Sequence, residues 1–136
     1  METSEIISLA KLRLERAKEL LDEAEMLLEK EGYKSANNRA FYSMEKSVKA
    51  LLALKEKDAK SHVGLLKMFH NDYVHETCVF TKEEYAKFQN AGTIRSASDY
   101  DDFYVCSKED CIRTVEDARY YYQKASDYVA EYITSK

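Results

Sequence analysis

Residues 37–55 read NNRAFYSMEKSVKALLALK, and this stretch decides the fold. Its apolar side chains recur at three- and four-residue steps, which is the period of an α-helix with one buried face. These side chains are Ala40, Phe41, Met44, Val48, Leu51 and Leu52. We therefore expect a helix from about Ser35 to Lys55. Glu45 lies on the same stripe, where a buried carboxylate needs a partner.

The same period predicts four further helices around this one. The first covers residues 4–30. The third follows the N-cap residue Ser61, the fourth follows the capping box TKEE at 81–84, and the fifth follows SKED at 107–110. The predicted inner face of the first helix is Ile6, Ala10, Ala17, Leu20, Leu21, Ala24, Leu27 and Leu28, and that of the third is Val63, Leu66, Phe69, Tyr73 and Val74. The predicted inner face of the fourth helix is Tyr85, Phe88, Ala91 and Gly92, and that of the fifth is Ile112, Val115, Ala118, Tyr122, Ala125, Val129 and Tyr132.

The composition supports a helical protein. The 136 residues include three glycines and no proline, so few turns are available to connect strands. We predict an all-α fold, an antiparallel up-and-down bundle of four to five helices, with residues 1–136 forming a single domain.

Net charge and cysteine content limit the classes of function that the protein can have. The net charge is −4 and no basic block occurs, so charge alone does not favour tight, sequence-independent binding to nucleic acid. No apolar run approaches the ~20 residues of a membrane span. Three cysteines cannot all pair within one chain, which is typical of reduced thiols, and we predict a cytoplasmic protein.

Arg95 continues the apolar stripe of the fourth predicted helix, within the segment TIRSASDYDDFY at residues 93–104. Because a guanidinium keeps its charge, a buried arginine needs an acidic or anionic partner. One interpretation is a structural ion pair with an acidic side chain of the same chain, namely Asp99, Asp101, Asp102 or Glu45. The other is an arginine that contacts a phosphate group or RNA.

Polar residues near the start of the second helix allow two interpretations. Asn37, Asn38 and Arg39 are expected in its first turn, where asparagine commonly caps a helix. They would instead line a polar site with Arg95 if the second and fourth helices are neighbours. His62, directly after Ser61, is predicted to make a surface or capping contact.

Metal and cofactor sites are not expected. His70, His75 and Cys78 have a spacing compatible with a metal ion, but Cys106 and Cys111 would have to complete the set from far along the chain. The sequence also lacks a glycine-rich phosphate loop, a nucleophile elbow and an H-E-x-x-H motif. We predict no metal site and no cofactor.

The tyrosines of the last helix exceed what one core face can hold. Tyr120, Tyr121 and Tyr122 are consecutive, and Tyr128 and Tyr132 follow. Aromatic side chains left outside a core are typical of a protein interface, which predicts a homodimer. Stacking on RNA bases is the alternative, although basic neighbours are missing.

Three segments together resemble the small stand-alone HEPN proteins (higher eukaryotes and prokaryotes nucleotide-binding). These segments are residues 37–55, KSHVGLLKMF at 60–69 and RSASDYDDF at 95–103. They are similar to N-R-A-Y-Y-A-M, T/S-H-x-G and R-x-x-x-D-Y-x-D-F segments that occur in this order in the family. The matching residues are Asn38, Arg39, Ala40, Phe41, Tyr42, Met44, Ser61, His62, Gly64, Arg95, Asp99, Tyr100, Asp102 and Phe103.

The resemblance implies an antiparallel helical bundle that forms a homodimer. It also implies a minimal nucleotidyltransferase as partner, often in a toxin–antitoxin pair. Ribonuclease members of the family use an arginine followed by a histidine four to six residues later, with two copies meeting across the dimer. Here Tyr100 stands in that region and no histidine follows His75.

Three hypotheses follow. The first is a non-catalytic or weakly catalytic dimeric module that binds a nucleotide or RNA and acts with a nucleotidyltransferase. Its ligand-binding residues would be Asn38, Arg39, Tyr42, Arg95 and Asp102. The second is a metal-independent endoribonuclease that uses Arg95, Asp99 and Tyr100. The third is a structural helical adaptor that uses only the tyrosine-rich surface.

Overall fold

The computed structural model describes residues 1–100 and 104–136, with the backbone alone for Asp99 and Tyr100. Its elements are α1 (Thr3–Glu29), α2 (Tyr33–Ala53), α3 (His62–Phe69), a π-helical segment (His70–Glu76), α4 (Lys82–Tyr100) and α5 (Lys108–Thr134). No strand occurs in the two described ranges. The predicted all-α bundle is confirmed. Within the described residues, no helix is both long enough and apolar enough to cross a membrane.

Helices α1 and α2 form an antiparallel pair. The Oγ of Ser43 donates to the carbonyl of Ala17 at 2.8 Å, and Nη1 of Arg13 donates to the carbonyl of Lys49 at 2.9 Å. Residues early in α1 therefore meet residues late in α2. The turn between the helices is tight because Glu31 adopts the left-handed region at φ 64°, which lets the amide of Gly32 reach the carbonyl of Leu27.

Helix α5 completes the core against α1 and α2. Its buried stripe contains Val115, Ala118, Ala125 and Val129, as predicted, but it also contains Tyr121, whose side chain is fully buried. The prediction that Tyr121 lies at a protein interface is therefore wrong. Tyr121 lies three residues after Ala118 and four before Ala125, so the helical period places it on the core face.

The short helix α3 begins at the predicted cap, since the Oγ of Ser61 accepts from the amide of Gly64 at 3.0 Å. Its predicted inner face is shifted, however. Leu65 is buried, whereas the Val63 side chain is 62% exposed. The π-helical segment that follows changes the helical register, and it buries Tyr73, whose hydroxyl donates to the carbonyl of Leu51.

Helix α4 lies against α2 and α5 and carries the candidate site. The predicted capping box at its start is confirmed: the Thr81 amide donates to Oε1 of Glu84, and the Glu84 amide donates to Oγ1 of Thr81. Phe88 and Ala91 are buried as predicted, and Arg95 is half-buried on the same face. The second half of α4 thereby brings Arg95 against α2.

Candidate functional site

A direct contact between α2 and α4 forms the centre of the site. Nη2 of Arg95 donates a hydrogen bond of 2.6 Å to the hydroxyl of Tyr42. The guanidinium carbon also lies 5.4 Å from the centroid of the Tyr42 ring and 5.9 Å from that of Phe41, which is cation–π distance. The two predicted site residues Tyr42 and Arg95 are therefore brought together.

A histidine from α3 joins the same aromatic cluster. The ring of His62 packs edge-on against Phe41, with 5.4 Å between centroids, and against Phe88, with 5.5 Å. The predicted surface or capping role of His62 is wrong, since Ser61 caps α3 alone and the imidazole reaches α2 and α4. Phe41 thus contacts both His62 and Arg95.

Gly92 explains how the imidazole fits against α4. A Cβ atom at this position would lie 2.9 Å from Nε2 of His62, closer than real Cβ contacts come. Any larger residue would therefore displace the ring. Gly92 precedes Arg95 by one helical turn on the same face of α4. The imidazole of His62 therefore contacts α4 one turn before Arg95.

The same arrangement explains why Glu45 can lie on the apolar stripe of α2. Its side chain is only 16% exposed, and Oε2 lies 3.8 Å from Nδ1 of His62. Oε1 lies 3.9 Å from Nζ of Lys49, one turn later in α2. The carboxylate on the apolar stripe therefore faces an imidazole and an ammonium group, which reduces the cost of placing it there.

A shallow depression of about 320 Å³ adjoins Tyr42 on the α1–α2 side. It is lined by Arg16, Leu20, Glu23, Asn38, Arg39, Tyr42 and Lys46. Three of these seven side chains are basic and one is acidic, so this part of an acidic protein has a local excess of positive charge. Such a surface attracts anions at low ionic strength.

Asn38 and Arg39 both line this depression. Nη1 of Arg39 donates to Oδ1 of Asn38 at 2.9 Å, and its Nε lies 3.3 Å from Oε2 of Glu23. The predicted capping role of Asn37 and Asn38 is wrong because α2 begins at Tyr33. The side-chain amide of Asn37 is fully buried and has no hydrogen-bond partner within the described part of the chain.

The remaining predicted site residues cannot be placed. Asp99 and Tyr100 end α4, but the structure describes only their backbone, and Asp101, Asp102 and Phe103 lie outside the described residues. The predictions for Asp99, Tyr100 and Asp102 therefore stay predictions.

A larger cavity, about 460 Å³, lies between α4 and α5. Its charged groups are paired with one another: Nζ of Lys87 lies 3.6 Å from Asp117, and Arg113 bonds to Asp110. Burial raises the pKa of Asp117, and the nearby Lys87 opposes that shift. Three acidic side chains and two basic ones line this cavity, so it has no excess of positive charge for an anion, and we place the candidate site at Arg95. Across the described residues, no three His, Cys, Asp or Glu side chains converge as a metal site would require.

Sequence analysis missed the pairing of Glu45 with His62. The available signal was a pair of anomalies: a glutamate on an apolar stripe, and a glycine on the inner face of α4 in a chain with only three glycines. Each implies a close neighbour from another element. The sequence did not indicate that the imidazole of His62 is the neighbour of both residues.

Comparison with known proteins shows one family model and several relatives that match this chain. The sequence profile described as "HEPN domain" matches residues 10–128. A Methanocaldococcus jannaschii protein named "Putative toxin MJ0142" is 32% identical over 85% of this chain and 78% of its own length. A protein of Archaeoglobus fulgidus named "UPF0332 protein" is 28% identical over 87% of this chain and 93% of its own length. A Thermotoga maritima protein with the latter name is 39% identical over 55% of each chain.

Proposed function

The chain belongs to the HEPN domain family, and from that premise we propose that it binds RNA or a nucleotide as one component of a toxin–antitoxin-like pair. The observation that carries the proposal is the hydrogen bond between Arg95 and Tyr42 beside the basic depression. The name of the M. jannaschii relative, "Putative toxin MJ0142", supports the two-component role.

The chemistry of these two side chains suits a phosphate group. A guanidinium is a planar cation that keeps its charge, and its geometry matches that of a phosphate group. The Tyr42 hydroxyl accepts from Arg95 and therefore keeps its own hydrogen for a phosphate oxygen. Charge-assisted hydrogen bonds of this kind are about twice as strong as neutral ones.

We also propose that the active form is a homodimer and that a minimal nucleotidyltransferase is its partner. Both follow from family membership rather than from a contact in this chain. We place the pair in the cytoplasm because Cys78, Cys106 and Cys111 are free thiols. Light scattering of the purified chain, alone and mixed with a nucleotidyltransferase encoded beside it, tests both assemblies. A monomer at every concentration would contradict the dimer.

Binding of a single-stranded RNA oligonucleotide, measured by fluorescence anisotropy at several salt concentrations, tests the site. We expect Arg95→Gln to weaken binding about tenfold to a hundredfold, as for loss of a hydrogen bond to a charged group. The salt dependence, plotted as log affinity against log salt concentration, should fall in slope by about 0.7 for one lost phosphate contact.

Arg119→Gln is the matched control, because it removes the same charge from α5. Arg119 is 54% exposed and bonds to Glu25 of α1. If both variants bind RNA equally weakly, overall charge rather than the site governs binding. If Arg95→Gln leaves binding unchanged and lowers only thermal stability, Arg95 is a structural residue and the adaptor hypothesis replaces ours.

A further inference from the structure

We propose that the cavity between α4 and α5 is a binding site for a small organic cation, namely an ammonium or guanidinium group on a short aliphatic chain. The cation binds between the carboxylates of Asp117 and Glu116, and the aliphatic chain lies against Ile94. Neither Arg95 nor Tyr42 lines this cavity. The inference therefore goes beyond the proposed function and does not depend on RNA binding.

The cavity has the size and the lining of a small-molecule site. Its volume of about 460 Å³ lies within the range of about 300–1,000 Å³ that is usual for such sites. It is larger than one lysine or arginine side chain, which favours a free ligand over a side chain of a partner protein. Ala91 and Ile94 contribute apolar lining, and Asn90, Thr93 and Thr114 contribute polar groups.

The charged side chains of the cavity leave one negative charge in excess. Nζ of Lys87 lies 3.6 Å from Oδ1 of Asp117, and Nη2 of Arg113 bonds to Oδ1 of Asp110. Glu116 remains as the third acidic residue of the lining, and it is exposed. The cavity therefore attracts a cation rather than an anion.

Asp117 is the carboxylate that gains most from a bound cation. Its side chain is only 14% exposed, whereas that of its partner Lys87 is 47% exposed. Burial raises the pKa of the Asp117 carboxyl, and the charge of Glu116 adds to this effect. Lys87 and Arg113 oppose the shift, but the pKa stays raised. The two cations of the chain therefore do not fully offset the cost of burying this carboxylate, and a cation in the cavity completes that compensation.

Two hydroxyl groups of the lining supply further acceptors. An ammonium group carries three hydrogens and needs acceptors besides one carboxylate oxygen. Oγ1 of Thr93 donates to the carbonyl of Gln89 at 3.2 Å. Oγ1 of Thr114 donates to the carbonyl of Asp110 at 2.9 Å. Since each hydroxyl spends its hydrogen on the backbone, its oxygen keeps lone pairs for a donor, and the two hydroxyls come from opposite walls, α4 and α5.

Pentylamine and pentanol are matched probes, because they share an aliphatic chain and only pentylamine is charged at neutral pH. Binding is followed through the backbone amide chemical shifts of labelled wild-type protein. With pentylamine we expect saturable shifts at Ala91, Ile94 and Thr114, with a dissociation constant on the order of 1 mM. Pentanol should cause none. Equal shifts with both compounds, or shifts that do not saturate with pentylamine, would overturn the proposal.

A second readout uses the ionisation of Asp117 itself. A bound cation stabilises the carboxylate, so pentylamine should lower the pKa of Asp117. NMR of the side-chain carboxyl carbon, recorded as the pH is lowered, measures this pKa with and without the probe. Asp127 is exposed further along α5 and is the internal control, whose pKa should not change. An unchanged pKa of Asp117 would contradict the position assigned to the ligand.

Two variants should move the affinity for pentylamine in opposite directions. Asp117→Asn removes the buried charge and should weaken binding about tenfold or more, as for loss of a hydrogen bond to a charged group. Lys87→Gln removes the cation that competes for Asp117 and should tighten binding. Lys82→Gln, at an exposed lysine of the same helix, is the control and should do neither. Unchanged affinity in Asp117→Asn, or weaker binding in Lys87→Gln, would overturn the proposal.

A last probe separates a free ligand from a side chain of a partner protein. A lysine tripeptide with blocked ends carries the same ammonium group on a peptide backbone. We expect it to bind about tenfold more weakly than pentylamine, because ordering the peptide costs affinity. Equal or tighter binding of the tripeptide would overturn the assignment to a free ligand. None of these experiments uses RNA, so failure of this inference leaves the proposed function standing.

Discussion

The two halves of α4 each carry a cluster of charged and aromatic side chains, but the clusters are built differently. At the start of the helix, Glu84 accepts hydrogen bonds from Tyr120 and from Lys124 at 3.2 Å, and its backbone carbonyl accepts from Tyr121 at 2.6 Å. Nζ of Lys124 also lies 4.9 Å above the ring of Phe80. This cluster joins α4 to α5 and is satisfied by the chain itself.

The second cluster, around Arg95, has members that border two depressions of the surface. Tyr42 and Lys46 line one depression, and Glu45, Lys49 and His62 line another. Internal pairing at the start of α4 stabilises the fold. We propose that the arrangement at its second half instead binds a ligand.

The largest effect on stability should come from Tyr121, which belongs to the first cluster. Tyr121→Ala removes a fully buried ring and the hydrogen bond to the carbonyl of Glu84. We expect the free energy of unfolding to fall by about 3–5 kcal/mol, as for other buried aromatic residues replaced by alanine. Urea unfolding measures this loss. Tyr122→Ala, at the neighbouring half-buried tyrosine, should cost clearly less; equal losses would contradict our assignment of the core face.

An intermediate effect is expected from Glu84. Burial raises the pKa of this carboxyl, but hydrogen bonds from Tyr120, the Thr81 amide and Lys124 outweigh it, so the pKa is lowered overall. Its contribution to stability is therefore present above the ordinary glutamate pKa of about 4.3 and is lost as the pH falls through the folded-state value.

Glu84→Gln should accordingly lower the free energy of unfolding by about 1–3 kcal/mol at neutral pH, the range for hydrogen bonds to a charged group. The difference from wild type should shrink in acid. Urea unfolding at a pH of about 7 and of about 3 tests this. Glu83→Gln, at an exposed neighbour on the same turn, is the control and should change little at either pH.

The smallest effect on stability is expected at Gly92, in the second cluster. Alanine favours a helix over glycine by about 1 kcal/mol, but its Cβ would displace the imidazole of His62. These opposing terms should leave the free energy of unfolding within about 1 kcal/mol of wild type. If the second cluster serves a ligand, binding of single-stranded RNA should nevertheless weaken. A variant that binds RNA normally would show that the position of His62 does not matter.

The sequence predicted those features that depend on local chemistry. The caps at Ser61, Thr81 and Ser107 lie where expected, because a cap needs only a side chain and an amide two or three residues away. Helical periodicity also identified the stripes of α1, α2 and α5. It predicted Tyr122 for the core face of α5, whereas Tyr121, three residues after Ala118 and four before Ala125, is the fully buried one.

Contacts between distant segments could not be predicted. A π-helical segment follows α3 and changes the helical register, and the periodicity of the sequence does not predict it. In α3, Leu65 rather than Val63 is buried. For the site, the sequence predicted Tyr42 and Arg95 as ligand-binding residues, and the structure brings these two side chains together. It missed His62, because the imidazole reaches the site only through the packing of α3 on α2 and α4.

The most direct test of this account maps RNA binding along α4. Backbone amide chemical shifts of labelled protein should be recorded during titration with 2′-O-methyl single-stranded RNA. We predict that changes concentrate at Tyr42, Lys46, Gly92 and Arg95, while the amides of Glu84 and Lys124 stay unchanged. Changes centred on the Glu84 end of α4, or spread evenly over the basic residues of the surface, would contradict the division of α4 into a stabilising half and a ligand-binding half.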